Sequence, residues 1–224
     1  MLQVNGATLE GGALRTDAFE VVVDEAGRVS VLLLTANGLH RGGDVSPDGI
    51  RNALASELCA MRPMKDVAVV LERYLATHAA LRASVALGVA RFSPIDGSIE
   101  ILNAGLPPIL RLFPTGSPLA FISRSPAIGA AGPAAHPYEL APLGWGSLWV
   151  FASAGASWGL TDPEAMTELG ERLRALQKQG VALTSVPPGQ LRSIIGEPLQ
   201  PRAASDATLV LVGTDPNQSA AGET

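Results

Sequence analysis

A chain of 224 residues that is 47% hydrophobic and 17% charged has the size and apolar content of one folded domain. That balance excludes intrinsic disorder, a collagen-like repeat and a charged coiled coil. With a net charge of -5, 4% aromatic residues and no adjacent basic residues, it lacks the clustered cations and stacking platforms that nucleic acid requires, so no nucleic-acid partner is expected.

Met1 to Gly6 shows no basic region followed by an apolar one, so no secretory signal is expected and the expected compartment is the cytoplasm. Residues 19–23 and 28–34 are β-branched runs around Asp24-Glu25-Ala26-Gly27, which predicts a hairpin at the start of the fold. The longest apolar stretch, residues 29–36, is far below the roughly 20 residues that span a bilayer, so no membrane association is expected. After a glycine-rich break, Ile50, Ala53, Leu54, Leu58 and Met61 recur at helical spacing behind Ser46 and Pro47, a cap and first-turn pair. Cys59, the single cysteine, cannot close an internal disulfide; inside this pattern it reads as a packing residue in a reducing compartment.

A second amphipathic helix is expected over 64–82. Strands follow at 84–92 and 99–102 around Asp96-Gly97, then at 109–113, 119–122, 138–140 and 148–152. Pro163 opens a third helix that runs to Lys178, with Thr161 or Asp162 as its cap, and a short helix is expected at 190–195. The last strand spans 207–212; residues 1–213 read as one domain and 214–224 as a flexible tail. Hairpin-linked strands are antiparallel and paired helices must cover sheet faces, so the expected fold is α/β: a central antiparallel β-sandwich flanked by helix pairs.

Arg15 to Phe19 with residues 31–43, Asn103 to Pro108, residues 148–160 and Ser205 to Thr208 form four segments that, in this order, resemble the metal-dependent serine/threonine protein phosphatases of type 2C, in particular their bacterial stage II sporulation-like branch. Arg15 to Phe19 with the Ala26-Gly27-Arg28 turn and residues 31–43 is similar to the family's opening, and His40-Arg41-Gly42-Gly43-Asp44-Val45 to its "H-x-G-G-E-V". Asn103-Ala104-Gly105-Leu106-Pro107-Pro108 resembles "N-A-G-H-P-P", the most specific of the four. Residues 148–160 resemble the "T-D-G" segment, and Ser205-Asp206-Ala207-Thr208 the closing "D-D-I-T". The resemblance implies an αββα sandwich and, in active members, two Mg²⁺ or Mn²⁺ ions held by aspartates at strand ends, with a bridging water that attacks phosphorus.

Matched one by one, those aspartates are largely replaced. Asp17 keeps the first, with Glu20 as a further oxygen source; Thr35, Ala154 and Ser205 stand at the other three, and Asp206 lies one residue late, on the opposite strand face unless the start of the strand is irregular. The expectation is a degenerate site and a pseudophosphatase with no cofactor, acting by binding a protein partner. Asp17, Glu20 and Asp206 are the ligands for Mn or Mg if the enzyme is active. By resemblance the partner is an anti-anti-sigma-factor-like phosphoprotein in a partner-switching circuit. His40, Asn103, Gly105 and Trp158 are the candidates for lining a binding groove. His40, His78 and His136 follow no metal spacing, and Ser153 lacks the preceding glycine of a hydrolase elbow, so neither a histidine metal site nor a Ser-His-Asp triad is expected.

Overall fold

The computed structural model describes residues 1–11, 15–38, 45–78, 83–129, 135–156, 163–196 and 206–215. In chain order the elements are β1 (Leu2–Leu9), β2 (Asp17–Val23), β3 (Val29–Asn37), α1 (Pro47–Cys59), α2 (Met64–His78), β4 (Ser84–Ser93), β5 (Ser98–Ala104), β6 (Ile109–Leu112), β7 (Leu119–Phe121), β8 (Tyr138–Pro142), β9 (Leu148–Ala152), α3 (Pro163–Lys178), α4 (Pro188–Gly196) and β10 (Ala207–Thr214). They form two antiparallel five-stranded sheets, ordered β2-β3-β4-β5-β8 and β1-β10-β9-β6-β7.

Strand periodicity divides the apolar residues into three layers. On β3, Val31 and Leu33 face the second sheet, whereas Leu32 and Leu34 face α1 and α2, where they meet Ile50, Leu54, Leu58, Val67 and Leu71. On the other side Leu209 and Leu211 of β10 pack with Leu169 and Leu173 of α3 and Leu191 of α4. Between the sheets Trp149 is fully buried, edge-on to Phe92 and tilted against Phe121, with its indole N–H donated to Leu143 C=O at 3.3 Å. Each such buried Leu or Val stabilises the fold by about 1.5–3 kcal/mol relative to exposure. Helix α1 starts as its sequence predicts: Ser46 is extended and its hydroxyl accepts Gly49 N–H at 3.0 Å.

Three expectations change. The fold does not begin with the β2–β3 hairpin but with β1, which pairs along its whole length with β10, from Leu2↔Thr214 to Leu9↔Ala207. Asn-Gly pairs generally favour turns over strands, yet here the Asn5 amide donates to Leu183 and Val186 carbonyls, and Gly6 lies under the Phe19 ring, where a Cβ would sit 2.8 Å from a ring carbon. Cys59 is exposed at the end of α1 rather than packed, because Ile50, Leu54 and Leu58 already form the inward stripe. β10 runs through Thr214, one residue into the expected tail. Helix α2 is described to His78, so the rest of its expected span to 82 lies outside the described residues, as do the expected caps Thr161 and Asp162.

Candidate functional site

Four strand ends meet at one end of the sandwich: the start of β2, the end of β3, the end of β9 and the start of β10. Asp17 and Thr35 are direct cross-strand partners on the face turned toward the other sheet. The Asp17 carboxyl is fully buried, and its Oδ1 accepts the Thr35 hydroxyl at 2.8 Å and, more weakly, the Thr16 hydroxyl at 3.4 Å. Burial pushes the Asp17 carboxyl above its usual range; the Ser153, Thr35 and Thr208 hydroxyls oppose that shift, and the neighbouring Asp206 charge adds to it. Although the Ser153 and Thr208 hydroxyls stand close enough to favour the charged form, Asp17 Oδ2 receives no hydrogen bond of good geometry.

Ser153 and Thr208 tie the second sheet together beside it. Ser153 N–H donates to Thr208 C=O, Thr208 N–H donates to the Ser153 hydroxyl, both at 2.9 Å, and the Thr208 hydroxyl pairs with that of Thr8 at 2.9 Å. These hydroxyls carry no signal of their own in the sequence; their placement at buried strand ends is what gives them their role.

Asp206, just before β10, is buried and faces main chain. Its Oδ2 accepts Thr16 N–H at 2.8 Å and Asp17 N–H at 3.2 Å, its Oδ1 accepts Gly11 N–H at 3.1 Å, and its own N–H donates to the Thr16 hydroxyl at 3.2 Å. The start of the strand is therefore irregular, and the carboxylate straps the two sheets together. Ala154, half-buried, and Gly155 follow β9; a Cβ on Gly155 would lie 2.2 Å from Asp206 C=O, so this loop rests directly on the strap.

The structure does not bring Glu20 to this cluster. Three positions along a strand reverse the face, and Glu20 points to α1, where Arg51 Nε lies 3.6 Å away and Arg51 and Arg15 also bind Asp48. Asn103 and Gly105, expected in a groove, build a turn instead. The Asn103 amide donates to Pro107 and Phe121 carbonyls at 3.1 and 3.3 Å and accepts Leu106 N–H at 3.2 Å. Gly105 takes φ +81° with Ala127 N only 2.8 Å from where its Cβ would be, and Leu106 is buried against Gly88 between the sheets. Ser205, His40, Asp44 and Trp158 lie outside the described residues. Of the other histidines, His78 bonds the Tyr74 carbonyl at 3.0 Å and His136 contacts Ser125 and Glu72 at 3.0 and 3.3 Å.

A two-sheet sandwich with helix pairs on both faces, and a polar cluster where four strand ends converge, is the architecture of the type 2C serine/threonine phosphatases, and this chain has that fold. Among solved structures it is similar to the RsbU and RsbW domains of a Mycobacterium tuberculosis protein (16% identity, TM-score 0.71, 95% of this chain and 60% of that one). It is also similar to the PP2C phosphatase domain with a fragment of the regulatory domain of SpoIIE from Bacillus subtilis (15%, 0.71, 96% and 62%) and to the S. agalactiae serine/threonine phosphatase (14%, 0.71, 96% and 100%). The chain thus spans about 60% of the length of the first two. No family model matches the sequence, and no curated protein matches it. No helix among the described residues is long and apolar enough to cross a membrane.

The ion pair implied by the fold family does not fit the described side chains. Both Asp206 oxygens already accept backbone N–H groups, Thr35 and Ala154 offer no carboxylate, and Asp17 has a single unpartnered oxygen. Among the described residues there is no group of three or more His, Cys, Asp or Glu able to hold a metal ion.

Proposed function

We propose that this chain is a catalytically impaired phosphatase-fold protein of bacterial phosphorylation-dependent signalling that acts in the cytoplasm by binding a protein partner. The observation that carries the reading is the Asp206 strap: the carboxylate nearest to Asp17 accepts three main-chain N–H groups, while a hydroxyl and a methyl stand at two further ligand positions. Dication affinity rises with the number and charge of oxygen ligands, and this set supplies too few for two ions. The kind of partner is an anti-anti-sigma-factor-like phosphoprotein, a reading supported by the mycobacterial neighbour, which carries an RsbU and an RsbW domain in one chain.

The second reading is an active Mn- or Mg-dependent phosphoserine/phosphothreonine phosphatase with an unusual ligand set, favoured by the buried, unpartnered Asp17 Oδ2. Calorimetric titration of Mn²⁺ and Mg²⁺, with hydrolysis of an aryl phosphate followed in the same samples, separates the two. The expected result is neither binding nor turnover at millimolar metal. Metal-dependent turnover that disappears in Asp17→Asn overturns the proposal in favour of the enzyme.

A further inference from the structure

The chain between β7 and β8 is tied down at several points. Ser125 bridges to Ala104 at the end of β5, Ile128 and Val85 exchange backbone hydrogen bonds at 2.8 and 2.9 Å, and His136, just before β8, reaches α2. The His136 imidazole is only 3% exposed; its Nδ1 lies 3.0 Å from the Ser125 hydroxyl and its Nε2 3.3 Å from Glu72 Oε1. That second contact is close but not aligned as a hydrogen bond, so a buried ring nitrogen is left without a hydrogen-bond partner. The other charged groups of these elements are paired, turned aside or distant. Arg124 and Glu139 pair with each other at 3.2 Å, as do Arg91 of β4 and Glu100 of β5. On α2, helical geometry turns Arg73 about 100° away from Glu72, sets Lys65 and Asp66 nearly two turns earlier, and puts Tyr74 and His78, stacked on each other, on the far side.

This geometry treats the two protonation states of the ring differently. Either state satisfies Ser125, whose hydroxyl donates or accepts as the ring requires. At Nε2, however, a neutral ring gains little from a misaligned carboxylate, and a buried polar atom without a partner is costly. An imidazolium is attracted to Glu72 by charge, which needs no alignment and is felt more strongly where water is excluded. We propose that Ser125, His136 and Glu72 form a proton-operated latch: uptake of a proton by His136 fastens the β7–β8 connection to α2, and its loss loosens that connection. Histidine suits the task because its charge changes within the physiological pH range. The closed connection is therefore favoured at low pH and released as pH rises. The same three groups are not a hydrolytic triad, because Ser125 is only 8% exposed and closed to a substrate. The latch does not depend on whether the phosphatase site is active.

Native-state hydrogen exchange of the whole chain at pH 5.5 and pH 8, corrected for the intrinsic pH dependence of exchange, tests it. The Val85 and Ile128 amides report the connection, because they bond to each other across it; the Val210 amide in the other sheet reports global unfolding. The expected result is an opening constant at Val85 and Ile128 about tenfold smaller at pH 5.5 than at pH 8, with a smaller change at Val210. His136→Gln, which cannot take up the proton, removes that difference. Glu72→Gln, at a side chain 22% exposed, removes it without disturbing the buried ring, and the His136 resonance then loses its proton at a lower pH than in the wild type. Protection independent of pH in the wild type, an equal change at Val210, or a pH dependence that survives Glu72→Gln overturns the inference.

Discussion

Removing the Asp206 carboxylate tests whether that group holds the two sheets together. In Asp206→Ala three main-chain donors lose their acceptor: Asp17 N–H, fully buried, Thr16 N–H, half-buried, and Gly11 N–H, exposed. Hydrogen bonds to a charged acceptor contribute about 1.5–3 kcal/mol each, and a buried donor left alone costs about 1–3 kcal/mol. Gly11 recovers its bond from water, so the loss rests on the other two and comes to about 3–5 kcal/mol. Removing the Asp206 charge, which adds to the upward shift of Asp17, offsets part of this loss, so the net destabilisation falls toward the lower end of that range, about 3 kcal/mol. Asp206→Asn keeps one carbonyl acceptor but turns an NH₂ toward a donor, and is expected to lose about half as much. Urea unfolding followed by tryptophan fluorescence measures both, since Trp149 is fully buried between the sheets. Unfolding of Asp206→Ala within about 0.5 kcal/mol of the wild type refutes the strap.

Four further outcomes are expected. The folded state holds the Asp17 proton more tightly than the unfolded chain, so this group's contribution to stability is complete below the ordinary value of 3.8 and is lost as pH rises through the raised folded value; Asp17→Asn flattens that part of a pH–stability profile and is no less stable than wild type at neutral pH. Thr35→Asp sets a new carboxylate beside Asp17, and with Ala154→Asp supplying another after β9, Mn²⁺ at about 100 times its dissociation constant is expected to add about 2.7 kcal/mol of stability in thermal unfolding, with no such gain in the wild type. Gly144→Ala drives a Cβ to 1.1 Å from an Arg111 guanidinium nitrogen at φ +64°, displacing a cation stacked on Phe113 and Trp149; loss of soluble folded protein, or at least about 3 kcal/mol in denaturation, is the expected result. Asn103→Ala strips the turn of its three side-chain bonds and lowers stability by about 2–3 kcal/mol, seen as a shifted urea midpoint with unchanged slope.

Much of the architecture was legible because the hydrophobic periods are clean. β9 spans 148–152 and α3 runs from Pro163 to Lys178 as the residue pattern indicates, and Ser46 caps α1. β1 was hidden because Asn5 and Gly6 carry turn chemistry locally but are required there by distant partners, the Leu183 and Val186 carbonyls and the Phe19 ring. In the site, the Asp17–Thr35 pairing follows from aligning two strand ends, and the separation of Glu20 from Asp17 follows from strand parity alone. The role of Asp206 could not be read in advance. Side-chain alternation fixes which face a strand residue takes, but Asp206 precedes the regular strand, and its direction is decided by donors at residues 11, 16 and 17, nearly the whole chain away. The Asn-Ala-Gly-Leu-Pro-Pro segment was recognisable as a motif, whereas its use as a self-bonded turn emerges only from the positions of the Pro107 and Phe121 carbonyls.

The pairing of β1 with β10 also sets an order of assembly. Strands β2 to β5 with α1 and α2 are neighbours in sequence and can collapse while the chain is still emerging from a ribosome. β1 is synthesised before all of them, yet its partner strand among the described residues is the last to appear, with Leu2 opposite Thr214. Closing so long a loop is entropically slow, so high contact order is concentrated in this one ladder. Until β10 arrives, β1 is an unpaired strand in a nascent chain, the stretch from which misassembly and chaperone capture would begin.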